Sequence, residues 1–341
     1  MTAPGRLAVL SRDPTVQAVR VTAIGACIFG AVVLALQFAR ELQVFPRASL
    51  LAAVLEVPLL VVGFVLFRLA RPVRPPPWIW SGAALIWGGT AAAGCALLAN
   101  QGLTSLWAKS QGTQFAENWS AALSAPLNEE ILKLCGVVMV VLAAPVMIRG
   151  ALDGWIYGAL TGLGFQLTEN VTFGLNSISL SGGTDPDAAV TNSVLVRVGE
   201  GALGSHWTMT AVAGAGVGFL IARGRAGVRG GPLLAGACLV AALAMHLLFD
   251  APFLPLAIKV AVNFVLAGGL YLVLSNSYLE RANDVLAARA AAGMVTADEA
   301  ANLLSRWRRR RELRRAQPGP ERGLLRARQE RLLAEVDGQA Q

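Results

Sequence analysis

Four short clusters of ionisable side chains stand inside otherwise apolar stretches of the chain. They are Glu129, Glu130 and Lys133; Glu169 with Asn170; His206; and His246 with Asp250. A charged side chain inside a bilayer costs several kcal/mol unless it is paired or hydrated, so each cluster is a candidate functional site. Because glutamate and histidine side chains transfer protons, activate water and bind divalent metals, this set can perform hydrolysis or ion transport.

The spacing inside the clusters places particular side chains on common helix faces. Glu129 and Lys133 are four residues apart and can form an ion pair, whereas Glu130 is turned by about 100° from Glu129. One glutamate can therefore face a reaction centre while the other supports it. His246 and Asp250 are also four residues apart, so Asp250 can fix the tautomer of His246 or act beside it.

The composition shows which kind of element carries these clusters. The chain has 341 residues, 55% hydrophobic and 15% charged, with a mean hydropathy of +0.56, which excludes an ordinary soluble domain. Apolar runs of about the 20 residues that a spanning helix needs lie near 19–38, 49–69, 78–99, 127–148, 152–175, 200–222, 232–251 and 254–275. We expect an all-α, polytopic transmembrane helix bundle of about eight spans, with the first helix retained and not removed as a signal peptide.

Arginine is concentrated in alternate connections between these runs. The arginine-rich segments are the amino-terminal arm, the second-to-third connection and the sixth-to-seventh connection. They carry Arg6, Arg12 and Arg20; Arg68, Arg71 and Arg74; and Arg223, Arg225 and Arg229. By the positive-inside rule, both termini are expected on the cytoplasmic side. With a rise of about 1.5 Å per residue, the four ionisable clusters then lie within roughly 10 Å of the non-cytoplasmic interface.

Three regions are expected along the chain. They are a cytoplasmic arm over 1–18, a transmembrane domain over 19–277 with its motifs in 125–252, and a basic helical cytoplasmic tail over 278–341. In the tail, Thr296 and Glu299 form a capping-box sequence, and an arginine-rich run follows. We expect the tail to rest on anionic lipid, with a partner-docking helix pair as the alternative. The net charge of +8 suits membrane orientation, and we expect no nucleic-acid binding.

Other segments carry weaker signals. Residues 100–126 combine aromatic and polar side chains, which predicts an interfacial helix or a flap. Residues 176–195 are rich in Ser, Gly, Asp and Asn, which predicts a flexible loop. Glu56 has no motif around it and is assigned to packing or hydration.

Small residues also recur at helical spacing. The pairs Gly158 with Gly162 and Gly214 with Gly218 permit close approach between helices. The four cysteines lack the spacing of a disulfide framework or a zinc knuckle and are assigned to packing.

In order along the chain, the motifs E-E-x-x-K, F-x-x-x-E-N, a histidine early in the next span and H-x-x-x-D resemble the PrsW family of intramembrane proteases. The second motif begins at Phe165, and the resemblance covers about residues 125–252. That family is similar to the CAAX prenyl endopeptidase and bacteriocin-immunity protease superfamily, many of whose members have histidine where this chain has Glu169.

The resemblance implies an intramembrane endopeptidase of the bacterial cytoplasmic membrane. It implies hydrolysis of a peptide bond in a membrane-protein substrate, in the best-known cases an anti-sigma factor cut on its extracytoplasmic side. The substrate is expected to be another membrane protein, single-pass in such cases.

Peptide hydrolysis needs an activated water, a stabilised oxyanion and a proton for the leaving amine. We expect Glu129 or Glu130 to be the general base, with Lys133 beside it. His206 and His246 are expected to supply metal ligands or oxyanion donors. Asp250 is expected to orient His246, and Asn170 to support Glu169.

A metal is one of two alternatives for the same residues. Two histidines and a glutamate form a catalytic zinc set, so Glu169, His206 and His246 are candidate ligands and Zn²⁺ is the expected metal. No H-E-x-x-H motif occurs in the chain, and a glutamate-activated water with histidine donors would use the same side chains.

Two other functions compete with proteolysis. An ion- or proton-coupled transporter would also use buried glutamate and histidine, but such sites usually lie near the midplane between internal repeats. A noncatalytic receptor or scaffold that signals through its tail would tolerate isosteric change of Glu129, Glu130 and His246.

Overall fold

The computed structural model describes residues 13–226 and 230–339, with the side chains of 223–226 and 339 left out. Within those ranges every regular element is helical, as the composition predicts. The first twelve residues of the predicted arm and the side chains of Arg223, Arg225 and Arg229 lie outside the described part.

The bundle is built from long helices followed by three shorter ones in the tail. The helices are α1 Pro14–Gln37, α2 Ala39–Val44, α3 Pro46–Ala70, α4 Trp78–Gln111, α5 Thr113–Ala143, α6 Ala151–Leu180, α7 Pro186–Val196, α8 His206–Ala226, α9 Gly231–Asp250, α10 Leu256–Ala291, α11 Ala297–Leu303, α12 Arg306–Arg315 and α13 Pro320–Gln339. Pro58, in the first turn after a break at Glu56, divides α3 into Pro46–Leu55 and Val57–Ala70. A wider turn of π-helix over Gly88–Ala92 interrupts α4.

Five of the described helices are long and apolar enough to cross a membrane, namely α1, α3, α4, α9 and α10. The other three runs predicted to span are α5, α6 and α8. Helix α6 is almost entirely buried over its first sixteen residues, from Ala151 to Gln166. A helix segment that is buried on all sides exposes few side chains to lipid, so this part of α6 does not need the hydropathy of a lipid-facing span. A total of eight spans stays a prediction.

Two boundaries differ from those predicted from the sequence. The sixth run starts at His206 and not at 200, because residues 197–201 form a π turn and a bend follows before α8 begins. Residues 176–195 are mostly helical, so the prediction of a flexible loop was wrong. Gly182 and Gly183, with φ of 70° and 69°, make the turn there, and the Asp185 side chain caps α7 by accepting from the backbone N–H of Ala188.

The segment 100–126 is a helical hairpin and not a separate flap. Helices α4 and α5 meet at Gly112, whose φ of 94° favours glycine. The indole N–H of Trp107 donates to Ser124 Oγ at 2.9 Å across the hairpin. The two arms of the hairpin thus stiffen each other beside the ionisable clusters.

Helices α6 and α8 approach each other through the predicted small-residue faces. A Cβ added at Gly158 would lie 2.2 Å from the carbonyl oxygen of Thr210, and one added at Gly214 would lie 2.3 Å from that of Gly154. Neither backbone could tolerate such a contact, so only glycine allows this separation. Gly162 packs in the same way against the backbone of His206. This contact positions the start of α8 against the middle of α6.

A buried ion cluster holds the tail to one end of the bundle. Asp337 of α13 is 3.2 Å from Arg71 and 3.1 Å from Arg149, and it accepts from the hydroxyl of Tyr278 at 2.5 Å. Arg71 also pairs with Asp153 at 2.6 Å. Burial raises the pKa of Asp337, but the two arginines and the tyrosine more than offset this and hold it below its usual value.

Part of the tail belongs to the hydrophobic core of the bundle. Helix α13 buries the side chains of Leu333 and Val336 against the bundle. The predicted boundary at 277/278 falls inside α10, which continues to Ala291. Thr296 Oγ1 accepts from the backbone N–H of Glu299 at 3.1 Å, so Thr296 is the N-cap, but the Glu299 carboxylate accepts from Arg328 and does not complete the predicted capping box.

Replacing Gly158 with alanine tests the close packing of α6 on α8. We expect Gly158→Ala to lower the free energy of unfolding by about 1–3 kcal/mol, because the backbones must separate to admit the methyl group. Thermal unfolding of the purified protein in detergent measures the change. Gly236→Ala on α9, where an added Cβ meets nothing within 4 Å, is the matched control. Equal melting temperatures for the two variants would contradict this packing.

Candidate active site

The four clusters predicted from the sequence come together at one place in the bundle. Helix α5 contributes Glu129, Glu130 and Lys133; α6 contributes Glu169 and Asn170; α8 contributes His206; and α9 contributes His246 and Asp250. Glu169 lies sixteen residues beyond Asp153 on α6, which is roughly 24 Å from the ion cluster that holds the tail. The site and the tail are therefore at opposite ends of the bundle.

The ammonium group of Lys133 is at the centre of the site. The side chain is fully buried, and its Nζ lies 2.6 Å from Glu130 Oε1, 3.4 Å from Glu129 Oε2 and 2.9 Å from His206 Nδ1. Because an ammonium group only donates, His206 Nδ1 accepts from it. The other ring nitrogen of His206 then carries the proton and donates to Glu169 Oε2 at 2.7 Å.

The two adjacent glutamates have different surroundings. Glu130 is fully buried and accepts from Lys133, from the hydroxyl of Thr210 at 3.0 Å and from His246 Nδ1 at 3.0 Å. Both of its oxygens therefore have partners within the protein. Glu129 instead borders a cavity and directs Oε2 toward both histidine rings. The structure thus distinguishes the surroundings of the two glutamates, which the sequence left open.

His246 has one anchored nitrogen and one open nitrogen. Its Nδ1 donates to Glu130, while its Nε2 is buried and makes no hydrogen bond within the described residues. Nε2 lies 3.7 Å from Glu129 Oε2 and 3.4 Å from Asp250 Oδ2. Glu130 therefore holds the ring through Nδ1, and Asp250 lies beside it on the Nε2 side. A proton shared with Asp250 or a metal cation would satisfy the open nitrogen.

The donor set fits a divalent metal. Ligand atoms of Glu129, His206 and His246 all lie within 4.8 Å of one another, and the three residues are buried. Each histidine directs one nitrogen at Glu129 Oε2, at 3.8 Å from His206 Nδ1 and 3.7 Å from His246 Nε2. The far nitrogen of each ring is bonded to a second carboxylate, Glu169 or Glu130, as is typical of histidine ligands.

This geometry favours Glu129 over the predicted Glu169 as the carboxylate of a metal set. Glu169 is tied to the outer nitrogen of His206 and to Arg197 by a short ion pair. It is thus placed to orient His206. Since Lys133 uses the lone pair of His206 Nδ1, a metal at this atom requires Lys133 to turn fully to Glu130.

Three residues that sequence reasoning did not assign to the site support it. Arg197, in the π turn before α8, donates to Asn170 Oδ1 at 2.8 Å as well as to Glu169. The Asn170 amide in turn donates to Glu56 Oε2 at 3.2 Å, so Glu56 has a specific partner besides its packing. Asn100 of α4 donates to Glu129 Oε1 at 2.8 Å. Glu56 and Asn100 are polar residues within or at the end of an apolar run, and this signal could have identified them, whereas Arg197 lies in the connection before the sixth run.

A cavity of about 250 Å³ lies beside the catalytic cluster. Glu129, Glu169 and Asp250 border it, together with Asn100 and Phe165. With Leu34 of α1, residues from five helices line this space, which is large enough for water molecules to reach the carboxylates. The arrangement can bind a metal, move protons and polarise a carbonyl group.

The fold and site define a helical membrane protein with a buried glutamate and histidine centre. A model of the PrsW family, described as PrsW family intramembrane metalloprotease, matches residues 76–275, from α4 to α10. The chain belongs to this family, which confirms the resemblance drawn from the motifs. It is an integral membrane protein and an intramembrane protease. No curated protein and no solved structure gives a significant match.

Replacing Lys133 with methionine tests its central position. We expect Lys133→Met to lower the free energy of unfolding by about 3–5 kcal/mol, because Glu129 and Glu130 are left as uncompensated buried charges. Chemical or thermal unfolding in detergent measures the change. Lys109→Met, at an exposed position near the end of α4, is the control and should unfold like the wild type. A stable Lys133→Met variant would show that the glutamates do not depend on the ammonium group.

Proposed function

We propose that the protein is a metal-dependent endopeptidase that cleaves a membrane-protein substrate near the extracytoplasmic face of a bacterial inner membrane. The observation that carries this proposal is the convergence of Glu129, His206 and His246, with each histidine anchored by a second carboxylate. The adjoining cavity gives a peptide access to this centre. Family membership supports proteolysis over the transporter that the sequence also allowed.

Glu129, His206 and His246 are the residues that would hold the metal. Zn²⁺ is the expected ion, and when bound it supplies a positive charge that polarises the scissile carbonyl group. Glu169 keeps the His206 ring in place through Nε2, and Glu130 does the same for His246 through Nδ1. These two carboxylates also make the rings more basic ligands.

Proton transfer is assigned to carboxylates that border the cavity. As the oxygen of water attacks the carbonyl carbon, Asp250 takes the proton that the water loses. The proton then passes to the amide nitrogen while the C–N bond breaks, so atoms and charges balance. If the site works without metal, Glu129 is the carboxylate that is free to act as this base. Lys133 stabilises the charge of Glu130 in either state and, when no metal is bound, that of Glu129 as well.

The orientation in the membrane is proposed from the distribution of arginine. Arg20 of α1, Arg71 after α3 and Arg149 before α6 lie at the end that holds the tail. The positive-inside rule makes this end cytoplasmic and the catalytic end extracytoplasmic. Eight spans with both termini inside are consistent with this orientation. A single-pass membrane protein, such as an anti-sigma factor, is the proposed substrate class.

Replacing Glu129 with glutamine tests the proteolytic function. We expect Glu129→Gln to reduce cleavage about 100-fold or more, because the carboxylate that binds the metal or acts as the general base is lost. Membrane and shed proteomes of cells with wild-type or variant protein are compared at matched expression. Glu117→Gln, an exposed change on the same helix, is the control.

A single-pass protein that accumulates uncut only with Glu129→Gln, with its cut site near the outer membrane face, would identify the substrate. If no fragment differs between the strains while ion or solute uptake does, the protein is a transporter and proteolysis is wrong.

Metal content tests the proposed ligands independently of activity. We expect the purified protein to contain about one divalent metal per chain, as catalytic zinc sites do. Inductively coupled plasma mass spectrometry measures this content. His246→Ala should lose the metal and Glu117→Gln should keep it. A metal-free wild type that cleaves the substrate after dialysis against a chelator would assign general-base catalysis to Glu129 instead.

A further inference from the structure

Helix α12 concentrates positive charge on one face. Its sequence, RWRRRRELRR, places Arg306, Arg310 and Arg314 at successive intervals of four residues, so these side chains share a side of the helix. Together with Trp307 and Arg311 they line a cavity of about 460 Å³. Four guanidinium groups that converge on one cavity repel each other unless an anion is present.

The positive charge of this cavity has little compensation from the described residues. Two guanidinium nitrogens of Arg306, Nε and Nη2, are buried and have no hydrogen-bond partner among them. Burial, together with the charges of Arg309, Arg71 and Arg310, lowers the pKa of Arg306 to about 10. Glu312, the one acidic residue in the sequence of α12, accepts instead from the side-chain amide of Gln329 at 2.9 Å. A buried cationic N–H without an acceptor is costly, and an anion would remove this cost.

Contacts to the bundle place the cavity near the membrane surface. Arg309 donates to the backbone carbonyl of Val73 at 2.6 Å and also to that of Leu303. Val73 lies in the short connection between α3 and α4, which are both candidate membrane spans. Trp307, on the cavity wall, is 67% exposed, and tryptophan is typical of the level of lipid headgroups.

We propose that the cavity lined by Arg306, Trp307, Arg310, Arg311 and Arg314 binds the phosphate group of an anionic phospholipid in the leaflet at the tail end of the bundle. The planar guanidinium group donates two parallel hydrogen bonds to phosphate oxygens, and several such groups around one cavity select phosphate over a single carboxylate. The site lies outside the segment that matches the protease family, and it does not depend on the proposed catalytic mechanism.

A defined phosphate site differs from a basic helix that rests on anionic lipid through its overall charge. A diffuse charge effect would involve all the arginines of α12 equally, including Arg308 and Arg315, which are exposed and do not line the cavity. A defined site involves only the arginines of the cavity wall. The two pairs of arginines therefore provide a charge-matched comparison on one helix.

Native mass spectrometry of the full-length protein in detergent tests the proposal. Phosphatidylglycerol is titrated against the wild type, against Arg306→Gln with Arg310→Gln, and against Arg308→Gln with Arg315→Gln. We expect the first double variant to bind roughly 30-fold more weakly, because it loses two of the guanidinium groups that hydrogen-bond the phosphate, and the second to bind like the wild type. Arg314→Gln, at an exposed part of the same wall, should also weaken binding and is used if the first double variant unfolds.

Two further titrations distinguish a lipid phosphate from a soluble phosphate as the ligand. Phosphatidylcholine should bind weakly, and inorganic phosphate should not displace phosphatidylglycerol. Equal weakening in the two double variants would overturn the proposal, because it would show a nonspecific charge effect. Complete displacement by inorganic phosphate would overturn the lipid assignment and identify a site for a soluble phosphate compound.

Discussion

The buried ammonium group of Lys133 is the interaction on which the catalytic centre depends. Two adjacent glutamates without exposure to water would repel each other, and neither would be stable as a carboxylate in a membrane protein. Lys133 forms ion pairs with both of them and also donates to His206 Nδ1, so one cation holds three neighbouring side chains together. The ring of Phe165 lies 4.2 Å from the ammonium nitrogen and closes the remaining side.

Around this cation the structure assigns different tasks to side chains of the same type. Glu130 and Glu169 hold the outer nitrogens of the two histidines, while Glu129 stands between the inner ones. This division explains why three glutamates accompany only two histidines. It also relates the site to helix packing, because the position of His206 is set by the glycine contact between α6 and α8.

The two ends of the bundle carry separate polar clusters. One cluster surrounds Lys133, and the other joins Asp337 of the tail to Arg71, Arg149 and Tyr278. Both clusters are largely buried, and both draw their members from segments that are distant in the sequence. The tail is therefore an integral part of one end of the bundle, and its arginine cavity is held in place by the same docking.

The sequence by itself determined the helical class, the ionisable residues of the site and the pairs that share one helix face, such as Glu129 with Lys133. These properties follow from local periodicity and from the cost of charge in lipid. Only the tertiary structure decided that Glu129 and not Glu169 stands between the histidines, that Glu130 holds His246, and that residues 176–195 are helical. Spacing fixes the face of a residue on its own helix, but the rotation and depth of one helix against another are set by close packing of distant segments. The supporting contacts of Arg197 depend on that packing, and no local pattern encodes them.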